Sequence, residues 1–111
     1  MLEKEKIQQE FLLKLEYLTD EMTEFAIGDT VTDENITELC VIYIVSNRIN
    51  NIINSPSEDV PVEIFIPWLT VQTHNELLQL YRSQIKLRDG LYLDTLEKIS
   101  SNILVRLFDV Y

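Results

Sequence analysis

Ile36-Thr37-Glu38-Leu39-Cys40-Val41-Ile42-Tyr43-Ile44-Val45-Ser46-Asn47-Arg48-Ile49-Asn50-Asn51-Ile52-Ile53 is the stretch whose reading decides the fold. Its centre, Val41 to Val45, is strongly β-prone in composition. The apolar pattern nevertheless continues at helical spacing on both sides. Ile36, Leu39, Ile42, Val45, Ile49 and Ile52 step by 3, 3, 3, 4 and 3. A strand over 40–45 leaves Arg48 to Ile53 without a role. The spacing therefore predicts a helix from about Asp33 to Asn54, with Cys40, Tyr43 and Ile53 widening its apolar face, in a central position. Thr32 or Asp33 is placed to accept its free backbone N–H groups.

Working outward, a first helix is predicted over 2–26. Ile7, Phe11, Leu15, Leu18, Met22 and Phe25 keep one apolar side chain per turn. Gly28 stands where a left-handed cap belongs, followed by Asp29. On the C-terminal side, Ser55-Pro56-Ser57-Glu58-Asp59 is a break too short to link two domains. Residues 60–71 carry two readings. Val62, Ile64 and Ile66 alternate as an edge strand would. In the favoured helical reading, Asp59 caps a helix with Pro61 in its first turn. Ile64, Trp68, Val71, Leu78, Tyr81 and Ile85 then share one face, and Pro67 kinks or splits the helix. Thr73-His74-Asn75-Glu76 has capping-box spacing and suggests a fresh start, with a helix over 73–88 closed by Asp89-Gly90. Asp94-Thr95-Leu96-Glu97 repeats that spacing and opens a last helix over 94–109. Its stripe is Leu96, Ile99, Ile103, Leu107 and Val110, with Tyr111 docked in the core or held by a partner.

These elements make one all-α domain over 1–111, a small bundle of four to five mostly antiparallel helices joined by short loops. Composition agrees. Two glycines and three prolines are few for the tight turns of an all-β domain. A hydrophobic fraction of 46% is too high for a disordered chain. Length alone allows a core without disulfides or metals. The single cysteine, Cys40, excludes an internal disulfide, and its expected role is a small buried core residue in a reduced, cytoplasmic setting. The first residues lack the basic-then-apolar pattern of a secretory signal, and no apolar run is long enough to cross a bilayer.

Chemistry-bearing patterns are scarce. His74 is the only histidine, which argues against a His-based metal site or a His-activated nucleophile. It is expected on the surface, in the first turn of its helix. Glycines at 28 and 90 alone cannot build a phosphate cradle. Glu-x-x-His, the signature of carboxylate-bridged metal pairs in bundles, is absent. Asp29, Asp33 and Glu34 lack the spacing of a calcium loop. No catalytic residue, metal ligand or cofactor is assigned, and the chain is expected not to be an enzyme.

Charge and surplus apolar area say more. The net charge is −10, with −9 carried by residues 1–60 and −1 by residues 61–111. That disfavours direct binding to nucleic-acid phosphates, which needs clustered cations. It suits docking on a basic protein, or occupation of a DNA-binding groove as a mimic, although acidity also simply keeps a small protein soluble. Leu12, Leu13 and Tyr17 lie off the main stripe of the first helix, and Trp68 sits beside Pro67. With Glu10, Glu21 and Glu24 for steering, these are the candidate partner-binding residues. The leading expectation is a non-enzymatic acidic module, such as an inhibitor, immunity or regulatory protein. The alternative is an assembly subunit forming a homo-oligomer.

One stretch supports that alternative. Asp33-Glu34-Asn35-Ile36, leading through Leu39 to Arg48-Ile49-Asn50-Asn51-Ile52-Ile53-Asn54 and then Val60-Pro61, resembles the central helices of small phage head–tail connector proteins. The likeness covers about 30 of the 111 residues and carries no binding residues over. It implies a structural role in a particle. High Ile and Asn content also suggests a low-GC bacterium or its phage as source.

Overall fold

The computed structural model describes residues 2–28 and 32–109. Asp29, Val110 and Tyr111, given roles above, lie outside the described residues. Four α-helices pack together: α1 (Glu3–Ile27), α2 (Asp33–Ile53), α3 (Phe65–Gln84) and α4 (Gly90–Phe108). A 3₁₀ turn at Val62–Ile64 leads into α3, and there is no strand among the described residues. The chain is a helical bundle, and the β-prone centre of α2 is helix.

The corner between α1 and α2 shows how side chains set helix ends. Thr32 is the N-cap of α2, and its hydroxyl accepts from the Asn35 N–H at 3.2 Å. Asn35 completes a capping box by accepting from the Thr32 N–H at 3.1 Å. The Asn35 amide nitrogen also donates to the Ala26 carbonyl, one of the free acceptors at the end of α1. One side chain thus closes two helix ends. Gly28 turns between them at φ 56° and ψ −169°, a region essentially reserved for glycine. The expected cap position is correct, and its ψ differs from the left-handed helical value.

Along their length, Gln8 donates to the Ile53 carbonyl, and the Thr19 and Ser46 hydroxyls meet at 2.9 Å. The start of α1 is therefore tied to the end of α2. Against α4, Phe11 packs on Phe108 with ring centroids 5.2 Å apart, and Glu21 pairs with Arg106 at 2.6 Å. Arg48 of α2 pairs with Glu76 of α3 at 2.7 Å. Helix α2 packs on all three others. Val41, Val45, Ile49 and Ile53 are its fully buried residues, facing Leu15 and Leu18, Leu77 and Leu80, and Leu96, Ile103 and Leu107 in one core.

The buried faces differ from several expectations. On α2, a step of three turns an α-helix through about 300°, so each such step moves the stripe back by about 60°. Three in a row, from Ile36 to Val45, carry it to the opposite side. Ile36 is accordingly exposed, as are Tyr43 and Cys40, which were expected in the core. On α1, Phe25 sits at the margin of the apolar arc, opposite Lys98 and Asn102, and is 87% exposed, while Ala26 takes the core position.

Helix α3 is one continuous helix from Phe65. Pro67 is its third residue, where no intrahelical N–H bond is lost, so the helix neither kinks nor splits. Asp59 is not its cap: Pro61 precedes the 3₁₀ turn. Thr73 and Glu76 form no capping box, since Thr73 is buried mid-helix and Glu76 goes to Arg48. The helix ends at Gln84, four residues before Arg88. The true cap of α4 is Asp89, which accepts from the Tyr92 N–H at 2.9 Å and places Asp94 inside the helix. The face expected to be buried on α3 points outward. Phe65, Leu69, Thr73, Leu77 and Leu80 line the core instead, while Ile64, Val71, Leu78 and Ile85 are exposed and Trp68 and Tyr81 are half-buried.

Thr73 is fully buried, and its hydroxyl has no hydrogen-bond partner among the described residues. A valine there keeps the shape and the β-branch while removing a polar atom. Leaving such a group unpaired costs about 1–3 kcal/mol. Thr73→Val is expected to raise the unfolding free energy by about 1–2 kcal/mol in a urea titration, on the same reasoning. A loss of stability would mean that the hydroxyl is satisfied in solution.

Candidate functional site

Helix α1 spends only part of its circumference on the core. Leu15, Leu18 and Ala26 are buried, and Phe11 and Met22 pack against them. The opposite side holds Leu13 and Tyr17, one helical turn apart and 67% and 68% exposed. Residues three or four apart are neighbours on a helix surface, so these two form one contiguous apolar step. Glu10 lies one turn before Leu13, and Asp20, Glu21 and Glu24 follow Tyr17 on the same side, all exposed. The structure thus brings together five of the seven residues singled out from sequence: Glu10, Leu13, Tyr17, Glu21 and Glu24.

The other two sit elsewhere. Leu12 turns toward α2, where it is half-buried and packs against the core. It lines a hollow with Glu16, Asp20, Tyr43 and Asn47. Trp68 belongs to α3 and stacks on Phe65 with centroids 6.0 Å apart and planes 16° from parallel. Helices α1 and α3 each pack on α2 and α4. They meet near their first turns, where Lys4 lies 5.7 Å from the Phe65 ring centroid and Ile7 and Ile66 line one hollow. Glu21 is also less free than its position suggests, since its carboxylate accepts from Arg106.

Among the described residues, two further exposed aromatics lie outside the sequence-derived set. Tyr43, 72% exposed, stands across the hollow from Leu12, and Phe25 projects beside Glu21 and Glu24. A wheel projection centred on Val45 and Ile49 would have placed Tyr43 outside. The stripe that starts at Ile36 drifts around α2 and so does not mark its buried face.

The surface combines exposed apolar area with surrounding negative charge. Rigid apolar side chains supply area to bury, and carboxylates around them supply attraction at longer range. His74 is exposed in mid-helix rather than in a first turn, on the flank of α3, where it shares a hollow with Tyr81 and Glu97. Among the described residues, no group of three or more His, Cys, Asp or Glu side chains is placed to hold a metal ion. No helix of the described residues is long and apolar enough to cross a membrane. No family model, curated protein or solved structure matches this chain, so its function is read from its surfaces.

If Leu13 and Tyr17 serve contact rather than packing, their loss leaves the fold intact. Leu13→Ala and Tyr17→Ala are each expected to change stability by less than about 0.5 kcal/mol, as exposed positions do. Leu12→Ala is expected to cost about 1–2 kcal/mol, less than a fully buried leucine. Denaturant melts of the three variants check this ordering; equal losses at 12, 13 and 17 would contradict it.

Proposed function

We propose that this chain is a non-enzymatic binding module that docks on a basic protein partner through the outward face of α1, as an inhibitor, immunity or regulatory protein does. The observation that supports it is the exposure of Leu13 and Tyr17, side by side, within a rim of carboxylates from Glu10, Asp20 and Glu24. A helix held on one core has no packing use for that second apolar step. Adjacent exposed apolar side chains rimmed by polar groups are the kind of patch that interaction sites use.

The ligand chemistry follows from the rim. Residues 1–60 carry −9 of the chain's −10, so the field on this side attracts cations. The best-matched partner element is an amphipathic helix with leucine-type residues on one side and lysine or arginine beside them, lying along α1. Carboxylates interleaved with Leu13 and Tyr17 suit this better than mimicry of DNA, whose phosphate rows have no apolar counterpart between them.

The test uses a designed amphipathic peptide of alternating Leu and Lys faces as probe, titrated into the isotope-labelled chain. Amide and side-chain shifts are expected to centre on residues 10–24. Glu10→Lys with Glu24→Lys is expected to weaken binding at least tenfold at low salt, with the two proteins converging as salt screens the rim, over a Debye length of about 10 Å at 0.1 M. Glu21 is kept in that variant because of its bond to Arg106. Shifts centred on another face, or affinity unchanged by the charge reversal, would count against the reading.

A further inference from the structure

The arginines of this acidic chain are not all given to carboxylates. Arg48 pairs with Glu76 and Arg106 with Glu21, but Arg88 is held by neutral groups. Its Nε donates to the Gln84 side-chain oxygen at 3.1 Å, and its guanidinium lies 4.7 Å from the centre of the Tyr92 ring. Its backbone N–H also donates to the Gln84 carbonyl at 3.0 Å. The end of α3 and the first turn of α4 thus fix one side chain between them. Asp89, next in sequence, is turned to another task, since its carboxylate caps α4 by accepting from the Tyr92 N–H. Among the described residues, Arg88 forms no ion pair, and its two terminal nitrogens have no acceptor.

Arg88 borders a hollow of about 300 Å³ where α2, α3 and α4 converge. Tyr43, Asn47 and Arg48 line it from α2, and Leu80, almost fully buried, lies at its base. Glu76 takes one terminal nitrogen of Arg48, and the other nitrogens of that guanidinium have no acceptor among the described residues. No carboxylate lines this hollow. The hollows beside Leu12, Phe25, His74 and Ile7 each have at least one in their walls. In a chain with 19 acidic residues, a wall with two guanidiniums and no acid is a local reversal of charge.

A guanidinium presents a planar fork of donors that matches the oxygens of a phosphate or a carboxylate. Stacking on an aromatic face holds its plane and leaves its edge open to a ligand. Ordering the side chain in advance lowers the entropy cost of binding. Two forks from different parts of the chain suit an anion with more than two oxygens. A phosphate monoester has three acceptor oxygens and a charge of about −1.5 to −2 at neutral pH, whereas a carboxylate has two oxygens and a single charge. The volume stands at the lower end of the roughly 300–1,000 Å³ of ligand pockets, so the ligand is small. Two arginines do not make the extended cationic track that a nucleic-acid strand requires.

We infer that the hollow bounded by Tyr43, Arg48, Arg88 and Tyr92 binds a small phosphate monoester, with the phosphate held between the two guanidiniums. This site is separate from the outward face of α1 and does not rest on what docks there.

The test is a titration of the isotope-labelled chain with phenyl phosphate, and with benzoate for comparison, at constant ionic strength. Saturable shifts in the millimolar range or below are expected at the Nε–H groups of Arg48 and Arg88 and at the amides of 43–48 and 84–92, without matching shifts at Leu13 and Tyr17. Arg88→Gln and Arg48→Gln are each expected to weaken binding at least about tenfold, as loss of charge-assisted hydrogen bonds does, while keeping the helical signal. Tyr17→Ala is expected to leave binding unchanged, and benzoate to bind more weakly than phenyl phosphate. Shifts that never saturate and match those given by sodium chloride would overturn the inference. So would shifts centred away from the hollow, an affinity unchanged in both arginine variants, or benzoate binding as tightly as phenyl phosphate.

Discussion

The burial of one helix face on α2 is the constraint on which the rest of the molecule depends. Val41, Val45, Ile49 and Ile53 are all within 1% of complete burial, and three helices must surround α2 to achieve it. Burying an aliphatic side chain of this size contributes about 1.5–3 kcal/mol relative to leaving it exposed. Losing even one of these contributions is large against the roughly 5–15 kcal/mol by which a domain is stable. Helices α1, α3 and α4 are positioned by this demand, and their remaining faces are left for solvent or for partners. The polar contacts work at the edges. Asn35 closes the α1–α2 corner, Arg48 and Glu76 join α2 to α3, and Arg106 and Glu21 join α4 to α1. Exposed ion pairs of this kind contribute little stability, typically below about 1 kcal/mol, and serve mainly to fix relative position.

Helix class was legible in the residues, and helix rotation was much less so. Four long apolar-periodic spans identify four helices because the 3.6-residue repeat survives local β propensity, as at Val41–Val45. Rotation depends on which stripe wins when two compete. On α3 the stripes through Leu69 and through Val71 are both apolar, and periodicity alone does not choose between them. The core took the stripe that includes Phe65, Leu69, Leu77 and Leu80, and the other is interrupted by Asn75 and Arg82. On α2 a stripe built from successive steps of three appears continuous in the sequence but winds around the cylinder. Capping signals misled for a related reason. Thr73/Glu76 and Asp94/Glu97 have the right spacing, but a capping box needs a chain end, and both pairs lie inside helices.

The candidate surface was legible to the extent that it depends on α1 alone. Leu13 and Tyr17 exceed what one core can cover, and the acids around them follow from helical spacing. Trp68 could not be separated from them in sequence, because its distance from Leu13 depends on how α3 crosses the bundle. The structure places exposed apolar residues both on the acid-rich outward side of α1 and on the acid-poor outward side of α3, with others, such as Tyr43 and Leu87, elsewhere.

The central claim, that α2 is the element the other helices are built around, predicts a specific ordering of local stability. Native-state hydrogen exchange measures it residue by residue. The amides of Val41 to Ile53 should exchange only through global unfolding, with the highest protection in the chain, while the ends of α1 and α4 open locally. Amides of α2 that exchange through local opening, while those of α3 or α4 stay protected, would contradict the account.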